Sequence, residues 1–242
     1  MALIEEPVPR PERLLQQLGI VTPEDLNIEG IAACCGAQIR YQPLDSCAAQ
    51  IIGHASSAII TVDERANRGR QRFSIAHELG HWHLHRGKAL RCASGDIGRR
   101  KSETRIGRQE RRADDYGAGL LMPRSMFRTA ADRVGHSAAG VRALASRFKV
   151  SWTAAAIRYT ELSPDPTMLV LYKADRTRAW YVRNDSCPPS LHPVRVCPIA
   201  LAAQAEHPVD HLPWQEDGDF LLDHEHAEDL VIDIDTWRAP QG

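Results

Sequence analysis

The sequence predicts an α+β protein, and three stretches of it carry the prediction. Residues 24–133 alternate helical and extended patterns: a helix, strands, a long helix, a loop and another helix. Residues 134–163 read as two helices joined by a short turn. Residues 164–242 open on Pro164-Asp165-Pro166 and continue in short extended runs, a small β-rich C-terminal domain. Ahead of all three, residues 1–23 form a leader in which Pro7, Pro9, Pro11 and Pro23 surround a short helical stretch, Glu12 to Leu18.

Ala58 to Val62 has the β-branched content of a strand and lies just before the long helix. That helix contains His77-Glu78-Leu79-Gly80-His81, the H-E-x-x-H pattern of a zinc-holding helix. Two histidines four apart sit one above the other on one face, so both imidazoles reach one metal ion. Glu78 points to a neighbouring part of that face, where it can take a proton from water without being a ligand. Ser74 is the expected N-cap, with Leu79 and Leu84 turned to the core. Gly80 costs about 1 kcal/mol relative to alanine inside a helix; its presence predicts an element passing close by. Where a strand beside such a helix is exposed, an extended peptide can add to it, and Ala58 to Val62 is the expected edge.

A catalytic zinc takes a third protein ligand. The extended pattern, with a glycine and then a histidine at three-residue steps after His81, fails, because Leu84 and Gly87 stand there. The alternative is a carboxylate from a later helix, and Glu110 and Asp114 are spaced i, i+4 in the run Gln109 to Pro123. Glu110 is the expected third ligand, and Asp114 is placed to accept the free N–H of a ligand histidine. Two histidines and one glutamate favour zinc over manganese.

Further on, Val141 to Phe148 and Ser151 to Tyr159 form a helix-turn-helix-like pair, with Ser151 able to cap the second helix. The outward residues of that second helix are largely alanine, with Arg158 the main base-capable side chain. Base readout prefers Arg, Asn, Gln or Lys near the helix start, so the pair reads as a packing module and nucleic acid as the lesser alternative. Beyond the prolines, Thr167 to Tyr172 and Ala179 to Val182 read as a hairpin, with Phe220 to Leu222 and Leu230 to Ile234 as later strands.

The net charge of −1 hides an asymmetry. Arg65 to Arg112 is strongly basic, densest at Arg99-Arg100-Lys101, while Glu206 to Asp235 holds many acids and no lysine or arginine. No apolar run reaches the ~18 residues of a membrane helix, and the N-terminus lacks the basic-then-apolar order of a secretory signal. The expected location is the cytoplasm. The six cysteines, with no C-x-x-C pair, read as free thiols.

The helix Arg72 to His81, the following Leu84-His85, and the run E-x-x-A-D-x-Y-G-x-x-L-L-M-P from Glu110 to Pro123 resemble the ImmA/IrrE family of zinc metallo-endopeptidases. Leu26 to Ala32 resembles that family's first helix, and Gln38 to Tyr41 and Ser57 to Val62 resemble its strands. Gly117 stands where the family usually has alanine, and the long basic stretch Arg86 to Gln109 is a departure. The resemblance covers about residues 24–160. It implies a zincin-like metallopeptidase domain with Zn²⁺ on His77, His81 and Glu110 and Glu78 as general base. It also implies a protein substrate, a repressor of the Xre/cI helix-turn-helix type, whose cleavage switches on stress or mobile-element genes. The alternatives are a DNA-binding regulator with a structural zinc and a non-catalytic repressor-binding module.

Overall fold

The computed structural model describes residues 10–85, 105–135, 137–198, 214–217, 222 and 231–234. The chain is mixed α+β and divides into two compact units. One runs up to Phe127 and takes in Arg147–Ser151; the other holds Arg128–Ser146 and the chain from Trp152 on.

The first unit begins with helix α1, Pro11–Gln17, as the leader's pattern predicts. A short 3₁₀ turn at Pro23–Asp25 follows, closed by a reciprocal cap between Thr22 and Asp25. Helix α2, Ile28–Cys34, is capped by Asn27, whose side chain accepts from the Gly30 amide. Three strands come next: β1 (Ala37–Gln42), β2 (Ala49–His54) and β3 (Ser57–Asp63). Their order in the sheet is β1-β3-β2, with β1 parallel and β2 antiparallel to β3. The expectation that Ala58 to Val62 forms an exposed edge is therefore corrected: it lies in β3, the central strand. The alternation Ala58, Ile60, Val62 faces the core, each at most 4% exposed. A β-branched run marks a strand but not its rank in the sheet, which depends on its partners. The free edges, among the described residues, are β1 and β2.

Helix α3, Arg68–Leu84, packs on this sheet, and helix α4, Arg105–Leu121, packs on α3. The N-cap of α3 is Asn67, which accepts from the Arg70 amide at 2.9 Å, and not Ser74. Ser74 lies two turns inside the helix, fully buried. The one weak helix former between Arg68 and Phe73, Gly69, stands in the first turn, and the helix starts at the earlier capping side chain. Leu79 is fully buried with Ile75 and Ala76, whereas Leu84 is only partly covered.

Trp82, near the end of α3, fixes the helix against the sheet. Its indole N–H donates to the Cys35 carbonyl at 3.0 Å, and its ring lies over Gly53 of β2. A Cβ at Gly53 would fall 2.3 Å from Trp82 Cζ3. The ring cannot swing away without giving up its bond to Cys35. Gly53→Ala is expected to destabilise the protein by about 1–3 kcal/mol, as overpacked cores do, read as a lower denaturant midpoint with an unchanged slope.

In the chain on the far side of α4 come α5 (Arg124–Ala131), α6 (Ala138–Phe148) and α7 (Trp152–Leu162). The last two are the expected helix pair, joined by Lys149–Ser151 with Lys149 at φ +54°. In the second unit α7 packs on the antiparallel hairpin of β4 (Met168–Tyr172) and β5 (Arg178–Arg183), the hairpin expected from the sequence. The buried Asn184 ties the two together. Its amide donates to the carbonyls of Ser163 and Asp165, and its oxygen accepts from the amides of Thr167 and Cys187. A second antiparallel pair joins β6 (Trp214–Asp217) to β7 (Val231–Ile234). The β7 strand was expected and β6 was not; Leu222 makes an isolated bridge to Pro193.

No helix among the described residues is long and apolar enough to cross a membrane. Cys34, Cys35, Cys47, Cys187 and Cys197 are free thiols. The densest basic run, Arg99-Arg100-Lys101, and most of the acidic stretch lie outside the described residues.

Candidate metal centre

The α3·α4 contact builds the site, and glycine sets how close the two helices come. A Cβ at Gly80 would meet the Ala113 Cα and carbonyl oxygen at 3.0 Å. From the other side, a Cβ at Gly117 would meet the His77 amide nitrogen at 3.0 Å. Gly80 thus has the close neighbour that its place in a helix predicts. Gly117, the departure from the family's alanine, receives a physical reason: α4 rests almost directly on the backbone of His77.

Across this contact, His77 and His81 of α3 meet Glu110 of α4. The two Nε2 nitrogens are 3.0 Å apart. Glu110 Oε2 lies 3.3 Å from His77 Nε2, and Oε1 lies 3.4 Å from His81 Nε2. Two ligands at tetrahedral angles, each about 2.05 Å from a zinc ion, stand roughly 3.3 Å apart. The triangle of donors therefore has the size of one tetrahedral face around such an ion. All three side chains are buried, at 0%, 1% and 4% exposure, and together they form a metal-binding group. Burying two imidazoles and a carboxylate in mutual contact is costly without a charge to share, which is the condition a cation relieves.

Asp114, one turn beyond Glu110, lies with Oδ1 2.8 Å from His77 Nδ1. That bond turns the ring so that Nε2 faces the triangle. Glu78 is 1% exposed. Burial would hold the His77 pKa down, but its bonds to Asp114 and Glu110 and the nearby charge of Glu78 more than offset this and raise it to about 9. Burial likewise works against ionising Glu110, yet its contacts with His77 and His81 hold its carboxyl well below the usual range. In the absence of metal, His77 thus carries a proton on the nitrogen a metal would use.

A measurable consequence follows from the sign of that shift. A metal ion and a proton would compete for His77 Nε2, so metal affinity is expected to rise with pH until His77 has lost its proton near pH 9. Between pH 6.5 and 8 the logarithm of the binding constant should climb by about one per pH unit. Calorimetry in two buffers of different ionisation enthalpy should register about one proton released per metal ion bound. A flat profile would show that His77 does not exchange a proton for metal.

His83 and Tyr116 are bonded to each other, with 2.5 Å between His83 Nδ1 and the Tyr116 hydroxyl. Burial pushes the Tyr116 hydroxyl far up, so it stays protonated. His85 is buried against His81.

A family model described as IrrE N-terminal-like domain (Peptidase_M78) matches residues 32–160. No curated protein gives a significant match. Among solved structures, a Mycobacterium tuberculosis transcriptional regulator is similar at 17% identity and a TM-score of 0.56, over 86% of this chain and 73% of that one. At that identity the likeness is one of fold.

Proposed function

The chain belongs to the family of the IrrE N-terminal-like domain, residues 32–160 carrying its pattern, and from that premise we propose that it is a zinc-dependent endopeptidase. The observation that carries the reading is the buried His77–His81–Glu110 triangle with Glu78 beside it on the same helix. Zinc held there would acidify water and polarise a peptide carbonyl. His77 and His81 supply neutral nitrogens, and Glu110 supplies the single negative charge among the three. Glu78 takes the proton of the attacking water and returns it to the leaving amine. Asp114 keeps His77 in the tautomer with Nδ1 protonated.

Strand β2 offers the edge for substrate. It pairs only with β3 among the described residues, packs beside α3, and exposes Ile52 at 70%. An extended segment could add to it through backbone hydrogen bonds, with a pocket-seeking side chain meeting Ile52. The substrate class carried by the family resemblance is a repressor of the Xre/cI helix-turn-helix type, cut to relieve repression. The cytoplasm, where such a repressor works, is the corresponding location.

The reading as a DNA-binding regulator has less support. Arg158, the base-capable residue of α7, is only 15% exposed and pairs with Glu161 at 3.6 Å. A structural zinc is normally closed by four protein ligands, and three converge here among the described residues.

The test is to incubate the zinc-loaded protein with an Xre-type repressor encoded beside it and to record intact masses, with a chelated sample in parallel. Two defined fragments from the zinc-loaded sample alone are expected. An intact repressor beside fully zinc-loaded protein would overturn this substrate assignment.

A further inference from the structure

His77, His81 and His85 follow one another at i, i+4 and i+8, so the three rings form a stripe down the end of α3. The third is not a ligand. His81 uses Nε2 toward the triangle, and His85 approaches the opposite side of the His81 ring, with the two Nδ1 nitrogens 3.0 Å apart. His85 is 4% exposed and closes α3 as its C-cap residue, its amide bonded to the His81 carbonyl.

We infer that His85 is a positioning residue for the metal centre, holding His81 in the tautomer and ring orientation that metal binding needs. The inference deepens the zinc reading and rests on it. A ligand nitrogen must be unprotonated, so a metal on His81 Nε2 leaves the ring's proton on Nδ1. Two Nδ1 atoms at 3.0 Å share a single hydrogen. His81 therefore donates, His85 Nδ1 accepts, and His85 carries its own proton on Nε2. The two ligand histidines are thus held by unlike partners: a carboxylate, Asp114, behind His77 and a neutral imidazole behind His81. A carboxylate makes its imidazole the stronger donor, whereas a neutral ring orients without adding charge to a centre that already contains Glu110 and, close by, Glu78 and Asp114.

The experiment compares zinc affinity, by chelator competition, in the wild type, His85→Leu and His85→Asn. The asparagine oxygen falls near the place of Nδ1 and can still accept from His81. His85→Leu is expected to bind zinc about 10–100-fold more weakly, the usual effect of losing such a partner, with His85→Asn recovering most of the difference. Ring-nitrogen NMR of the zinc-loaded wild type should show His81 protonated at Nδ1 and His85 at Nε2, a readout that needs no variant to fold. Leucine and wild-type proteins of equal affinity, or asparagine no better than leucine, would overturn the assignment. So would a zinc-loaded wild type with His85 protonated at Nδ1. A wild type that takes up no zinc would instead overturn the metal reading beneath it.

Discussion

A Glu78→Gln protein is expected to fold, to bind zinc and to lose cleavage by about 10²–10⁴-fold, the usual worth of a general base. Three separate facts make the prediction sharp. The substitution keeps the volume of a side chain that is 1% exposed, so packing around it survives. Glu78 is not one of the three converging donors, so the metal group stays complete. The amide, unlike the carboxylate, cannot accept a proton from water at neutral pH. Removing the negative charge also takes away one of the influences that hold a proton on His77. The same lost charge also weakens the attraction for a divalent cation, so zinc binding near neutral pH should stay close to that of the wild type. Metal stoichiometry and a mass-resolved time course on one sample check both halves. Cleavage within tenfold of the wild type would remove Glu78 as the base and leave the role to another group.

What the sequence reveals of this site is what i, i+4 spacing encodes. His77 with His81, and Glu110 with Asp114, each share a helix face by local geometry alone. Once both helices exist, only their contact remains to be supplied, and Gly80 already marks where it falls. The rest depends on pairings that a local pattern does not specify. β3 reads as a strand from its β-branched run, but its central place comes from β1 and β2 lying on either side of it. Ser74 and Asn67 are both capping residue types, and the choice between them is made by how far the helix extends before it, not by either side chain. The strand Trp214–Asp217 escaped because Gln, Glu and Asp fill it; it exists through its pairing with Val231–Ile234. His85 was visible in the sequence at the right spacing, but the role inferred for it depends on which nitrogen of His81 faces the triangle.

Glu110→Ala is expected to cost the protein most of its metal, and the comparison with Asp114→Ala shows why. Both carboxylates lie on one face of α4 and both touch His77, yet at different nitrogens. Glu110 stands 3.3 Å from Nε2, on the triangle's side of the ring, and Asp114 stands 2.8 Å from Nδ1, behind it. Removing Asp114 releases the ring's orientation and should weaken zinc by about 10–100-fold. Removing Glu110 takes away a donor and the one negative charge in the triangle, so the loss should be well beyond that range and leave the dialysed protein nearly metal-free. The apo protein responds in the opposite sense. Without Glu110, His77 loses a contact that holds its proton, and its pKa should fall from about 9 toward the ordinary value. Proton competition at pH 7 then eases, which helps zinc slightly and cannot make good the missing ligand. Metal analysis after dialysis, with the histidine titration followed by NMR, separates the two effects. An alanine variant that kept one zinc at wild-type affinity would show that the third ligand comes from another residue, and that the Glu110–histidine contacts serve packing alone.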